Sequence, residues 1–286
     1  MTDIEQDFIR DCWYVAGWSE DFTHTLTPLR ILDEPIVVFR TEAGVPAALE
    51  DACPHRKLPL SKGRLTGETV ECGYHGLTFD CSGACVRAPT QDGPPPAVTV
   101  RSYPVEDRWG ILWIWMGDAD KADPDEIFEI PNYDNPAWGR TQGGSMDIAC
   151  HYLYVVDNLL DPSHVAWVHV SSFAGAGTGN LPLDLEKLDD GIIVSRWVMD
   201  APPPPYYEPI LPFSGNCDRK QHYECRLPST AINMSVYTRA GTGGDNDNLP
   251  DDAFLNISYN FMTPVDADNT RYFWFQHRNS DPDNQE

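Results

Sequence analysis

Short apolar runs broken by turn residues dominate the first 120 positions. Residues 35–40, 98–103 and 111–115 are rich in β-branched and aromatic side chains, and these runs together with the apolar run 45–50 lie between turn residues, which predicts short strands. Thr41-Glu42-Ala43-Gly44 joins the first two as a hairpin loop. No segment here sustains a 3.6-residue period, so this half is expected to be all-β. The polar stretch 117–124, closing on Pro124, marks a boundary between a domain over 1–120 and a second over 121–286.

Beyond it the periodicity changes. Apolar residues at 153, 155, 156, 159, 160, 165, 167 and 168 predict a helix over 151–170, interrupted by Pro162. Further strands are expected at 191–199, 225–227, 232–237, 255–262 and 271–277, between Pro-rich and Asp/Gly-rich loops. The second half therefore reads as α+β around an antiparallel sheet.

Composition narrows the function classes. The 286 residues carry 20 Lys and Arg against 44 Asp and Glu, a net charge of −24. Such a chain has no cation excess with which to neutralise phosphates, so neither nucleic acid nor an anionic membrane is an expected partner. The longest apolar stretch, 109–116, is too short to span a bilayer. No basic, apolar leader opens the sequence, and a cytoplasmic location is expected. In a reducing compartment the eight cysteines are expected to be metal ligands or buried thiols rather than disulfides.

Two constellations carry candidate chemistry. Cys53-Pro54-His55 and Cys72-Gly73-Tyr74-His75 each offer a thiolate and an imidazole on a short loop. One tetrahedral zinc could use all four, and so could a [2Fe–2S] cluster with two Cys on one iron and two His on the other. Zinc loops usually pair like ligands, whereas here each loop gives Cys then His, so like ligands from different loops can meet on one iron. The second constellation is His164 and His169, five residues apart on the predicted helix. Five steps of about 100° leave the rings about 140° apart, so binding one ion requires a local break such as Pro162 or the helix end. Two His plus a carboxylate is the set that leaves ferrous iron open to dioxygen. Asp161 before Pro162 also has the chemistry of a helix N-cap.

With Cys53-Pro54-His55-Arg56, Cys72-Gly73-Tyr74-His75-Gly76-Leu77, Arg87-Ala88-Pro89 and the Asp161-to-His169 segment, the chain resembles the Rieske non-heme iron oxygenases. The resemblance is greatest to oxygenase components of vanillate O-demethylase and related aromatic demethylases. It implies an N-terminal Rieske domain bound through Cys53, His55, Cys72 and His75, followed by a helix-grip catalytic domain with Fe(II) on His164 and His169. Asp161 would link a neighbouring subunit's Rieske histidine to His164, and Asn158 would sit near the iron without binding it. Electrons would come from NADH through a flavin and iron–sulfur reductase, and the oxygenase would assemble as a homotrimer.

The implied reaction is O-demethylation of a methoxylated aromatic acid to a phenol and formaldehyde. The alternatives are oxygenation at a ring carbon, an N-methyl group or a sulfonated aromatic, and, in another class, a Rieske electron carrier or metal-binding module without oxygenase activity. Arg196, Arg226, Arg239 and Arg271 are candidates to pair with a substrate acid. The family's third iron ligand is an aspartate on a C-terminal helix, expected beyond residue 286 of a C-terminally shortened chain, with Asp281 and Asp283 as the substitutes nearest the end. Residues 279–286 have the composition of a helix start. Arg56, Lys57, Lys62 and Arg64 form a basic island beside the cluster ligands, a candidate dock for an acidic electron donor.

Overall fold

The strand Glu34–Arg40 is apolar at successive positions because both of its faces are buried. Ile36 and Val38 pack with Tyr14, Leu112 and Ile114, while Val37 and Phe39 pack with Leu60, Val70 and Phe79. Each such side chain, fully buried, contributes about 1.5–3 kcal/mol. The second cluster also contains Cys53 and Cys72, so the candidate ligand loops rest directly on packed core.

The computed structural model describes residues 8–93, 95, 97–169, 171–173, 179, 181–245 and 248–283. The chain forms two compact units, Met1–Ile130 with Ala149–His151 and Thr263–Arg271, and Pro131–Ile148 with Tyr152–Met262 and Tyr272–Glu286. In the first unit, Trp13–Trp18, Ile111–Trp115 and Val105–Arg108 make one sheet. Thr27–Ile31, Glu34–Arg40, Pro46–Glu50 and Ser102–Tyr103 make another, and Arg64–Thr66, Thr69–Glu71, Thr78–Phe79 and Cys85–Arg87 a third. All are antiparallel, and among the described residues this unit contains no α-helix. Of the predicted strand 98–103, Ser102–Tyr103 pairs with Ala48 and Leu49, and Thr99 makes an isolated bridge to Ala84. The turn between the first two strands of the second sheet is anchored from far along the chain: Leu32 and Asp33 donate their N–H groups to the carbonyls of Pro264 and Val265.

The second unit is built on an antiparallel sheet ordered Gly139–Arg140, Asn269–Arg278, Phe254–Asp266, Thr230–Arg239, Cys217–Arg226, Gly191–Ala201 and Asp184–Leu188, with Gly144–Ile148 also on the 269–278 strand. The expected strand 225–227 is in fact Cys217–Arg226. The predicted helix 151–170 is two helices, α1 Tyr152–Leu160 and α2 Pro162–Val168, and residue 170 lies outside the described residues. Pro162 has no N–H to continue α1, whereas at the first position of a new helix that donor is not needed. Asp161 caps α2 by accepting the N–H of Ser163. Among the described residues no helix is long and apolar enough to cross a membrane. Residues 279–283 form bends and a turn instead of the predicted helix start, and 284–286 lie outside the described residues.

Candidate functional site

The two Cys/His loops have one backbone pattern. Cys53 N–H donates to Leu58 O at 2.9 Å and Lys57 N–H to Cys53 O at 2.8 Å. Cys72 N–H donates to Leu77 O at 2.8 Å and Gly76 N–H to Cys72 O at 3.0 Å. The fourth residue after each cysteine is left-handed, Lys57 at φ 57° and Gly76 at φ 71°. Gly76 has a second reason to lack a side chain, since a Cβ there would meet Pro89 Cγ at 2.9 Å.

The paired loops bring like ligands together. The Cys53 and Cys72 thiols are in hydrogen-bond contact, 1% and 2% exposed, and burial pushes the Cys53 thiol up despite the N–H groups of His55 and Arg56 directed at it. The His55 and His75 rings lie 4.6 Å apart and are exposed, with Tyr74 stacked on His75 at 4.0 Å. Sulfur pairs with sulfur on the core side, and imidazole with imidazole on the solvent side.

In the second unit the helix end supplies the break that the His spacing required. α2 stops at Val168, and His169 is its C-cap at φ −114°, ψ 15°, outside the helical well. The His164 and His169 rings consequently lie 5.3 Å apart at 74°. His164 Nδ1 is buried without a hydrogen-bond partner, 3.4 Å from an Asp161 oxygen. Burial, with His164 beside it, holds His169 below the ordinary histidine value, in the neutral form that can donate a lone pair to a metal. The hydroxyl and N–H of Ser163 hold the Asp161 carboxyl below the usual range.

Asn158, His164 and His169 line a cavity of about 340 Å³ with Phe173, Tyr206 and Tyr207. Its floor is one face of the sheet, polar where a core would be apolar: register aligns Gln221, Ser235 and Asn256 in one row and Tyr223, Asn233 and Ser258 in the next. Several floor groups are already committed. Asn233 donates to Leu159 O at 2.9 Å, and Asn260 accepts the Tyr272 hydroxyl at 2.6 Å. The volume lies at the lower end of the range usual for small-molecule sites, about 300–1,000 Å³.

None of the four candidate arginines lines the cavity. Arg226 is paired with Glu224 and Asp190, Arg239 with Asp252, and Arg196 is bonded to Gln221 and to the Pro162 carbonyl. Neither Asp281 nor Asp283 lines it, and among the described residues no Asp or Glu does. The basic island is exposed at all four positions, but Lys57 is paired with Glu50 and Arg64, across its strand pair, with Glu71. Sequence reasoning missed the polar floor altogether, although the alternation from Arg219 through Gln221 to Tyr223 was its signal.

Residues 12–104 match the Rieske [2Fe-2S] domain, and residues 148–286 match the vanillate O-demethylase oxygenase C-terminal domain. The chain is 35% identical to the toluene-4-sulfonate monooxygenase system iron-sulfur subunit of Comamonas testosteroni, over 97% of this chain and 81% of that one. It is 34% identical to a vanillate O-demethylase oxygenase subunit of Pseudomonas sp., over 96% of this chain and 78% of the relative. The crystal structure of dicamba monooxygenase bound to 3,6-dichlorosalicylic acid superposes with a TM-score of 0.87 at 31% identity, covering 97% of this chain and 80% of that one.

Proposed function

The chain belongs to the Rieske non-heme iron oxygenases with a vanillate O-demethylase-type C-terminal domain, and on that premise we propose that it O-demethylates a methoxylated aromatic acid. As a Rieske terminal oxygenase component it uses a [2Fe–2S] cluster and a non-heme iron. The residues present fit both groups. Two buried thiols below two exposed imidazoles suit a cluster with one Cys-bound and one His-bound iron, assigned to Cys53 and Cys72 and to His55 and His75. The His164 and His169 rings, 5.3 Å apart with the Nδ1 of His164 turned toward Asp161, suit a mononuclear iron held through the other ring nitrogen of His164, and among the described residues no Asp or Glu lines the cavity that they share.

When bound, these metals supply stepwise electron transfer and dioxygen activation. The aryl methyl ether, O2, NADH and a proton give the phenol, formaldehyde, water and NAD+, with NADH acting through a separate reductase. The chain's own residues supply placement. Phe173, Tyr206 and Tyr207 face the aromatic ring, the polar floor orients its substituents, and His164 and His169 line the same cavity, with His169 stacked on Phe173 at 4.5 Å. In this proposal Asp161, the N-cap of α2 and 3.4 Å from His164, receives the Rieske histidine of a neighbouring protomer in a homotrimer. The basic island beside His55 and His75 is the dock for an acidic reductase.

The observation that carries this reading is the His164/His169 pair on the wall of an aromatic, polar-floored cavity. The test is formaldehyde release from methoxybenzoates with NADH and a reductase, alongside electron paramagnetic resonance of the reduced protein for a mixed-valence cluster. A broad methoxybenzoate panel yielding no formaldehyde sinks the demethylation. The similarity to the toluene-4-sulfonate subunit favours one second reading, oxygenation of a sulfonated aromatic, which product identity separates.

A further inference from the structure

The cavity floor ends in buried positive charge. Arg219, Gln221 and Tyr223 share one face of the 217–226 strand by alternation, and register extends their rows to Arg196–Gln221–Ser235 and Val198–Arg219–Tyr237. Arg219 is 1% exposed, and none of Nε, Nη1 and Nη2 has a hydrogen-bond partner. A guanidinium buried without partners is strongly disfavoured unless a negative charge is supplied. Arg219 does not itself line the cavity, but Gln221 and Tyr223 do, and Arg196 backs them. The Arg196 Nε–H donates to Gln221 Oε1 at 2.7 Å, which turns the oxygen away and leaves the Gln221 NH2 group as the free donor. Burial pushes the Tyr223 phenol up to about 12, against Arg196 and Arg219, so its hydroxyl is a protonated donor at neutral pH. Asp161 is the carboxylate that bears on Tyr223; it is the N-cap of α2, does not line the cavity, and is followed by Pro162, whose carbonyl accepts from Arg196.

The geometry points to the Gln221–Tyr223 end of the cavity as the subsite for the anionic group of the substrate, a carboxylate or sulfonate, held by the Gln221 amide and Tyr223 hydroxyl and balanced by the buried charges of Arg219 and Arg196. This rests on the aromatic-acid reading above and deepens it. Arg219 is a positioning residue here, acting through its field.

The test is calorimetric binding of 3-methoxybenzoate, 3-methoxybenzenesulfonate and neutral 3-methoxybenzamide to the purified full chain with its metal centres. The wild type is expected to bind at least one anion more tightly than the amide, and the preferred anion names the head group. Arg219→Met and Gln221→Leu should each weaken that anion about tenfold or more while leaving the amide within about twofold. Arg219→Lys should restore part of the loss, which a merely structural role would not. No anion preference in the wild type, or equal weakening of all three ligands, overturns the subsite. If Arg219→Met fails to fold by circular dichroism, Gln221→Leu and Arg219→Lys decide by the same criterion. Binding is read without turnover, so an intact anion preference with no formaldehyde would overturn the demethylation alone.

Discussion

At Asp161 one side chain serves two neighbours, the Ser163 N–H at the start of α2 and the imidazole of His164. Substitution can separate these. Asp161→Ser keeps a capping oxygen and should hold the melting temperature near wild type while abolishing most turnover. Asp161→Ala should lose the turnover and also about 1 kcal/mol of stability in urea denaturation. Lys57 and Gly76 offer a second comparison, since both are left-handed in equivalent loops. Lys57→Gly should stabilise by up to about 1 kcal/mol, because the exposed pair with Glu50 at 3.4 Å is worth little, whereas Gly76→Ala should destabilise by more than that through φ and the clash with Pro89. Glu34 sets a pH dependence. Burial works against its ionisation, yet hydrogen bonds from Tyr103 and Arg10, with Arg101 nearby, hold its carboxyl below the usual range. Its contribution is therefore present above the unfolded carboxylate value and lost as pH falls through the lower folded value. Glu34→Gln should cost stability at pH 7 and progressively less as pH falls below the unfolded carboxylate value, as read by urea midpoints.

At the scale of elements, the strand Cys217–Arg226 shows where hydrophobic patterning stops informing. Its first residues, Cys217-Asp218-Arg219-Lys220-Gln221-His222, have no apolar alternation, because this strand contributes Gln221 and Tyr223 to the polar floor of a cavity. A rule built on burial finds a strand only where burial is apolar, and 225–227 was the part of this strand that it could find. The Glu34–Arg40 strand was readable in full because both its faces are core. The α1/α2 break was legible in Pro162, since a missing N–H acts locally. The Cys/His and His/His sets were legible because ligand chemistry demands residue types at fixed spacing. The arginine roles were not, because choosing among Arg196, Arg226 and Arg239 depends on which strand neighbours they meet. Swapping Gln221 and Ser235 within their cross-strand row should preserve the fold by circular dichroism but alter which substituted benzoates bind.

For the molecule as a whole, a charge of −24 means that self-repulsion opposes compaction. Moderate NaCl should raise the melting temperature by screening it, and the same salt should slow reduction by an acidic donor at the basic island. Reversing Lys57 and Lys62 to Glu should slow that reduction in stopped flow and flatten its salt dependence, while unchanged rates would remove the docking assignment. The connectivity carries one more consequence. Residues Thr263–Arg271 cluster with the N-terminal unit, where Pro264 and Val265 accept from the turn at Leu32 and Asp33, and the Thr263 hydroxyl donates to Val15 O at 2.7 Å. During synthesis, a nascent chain cannot complete these contacts until a segment made more than two hundred residues later has left the ribosome. The first unit is thus among the first parts to be translated but completes these contacts only after most of the chain has been made. A fragment cut at the apparent boundary near residue 120 would leave those two turn amides without their carbonyls.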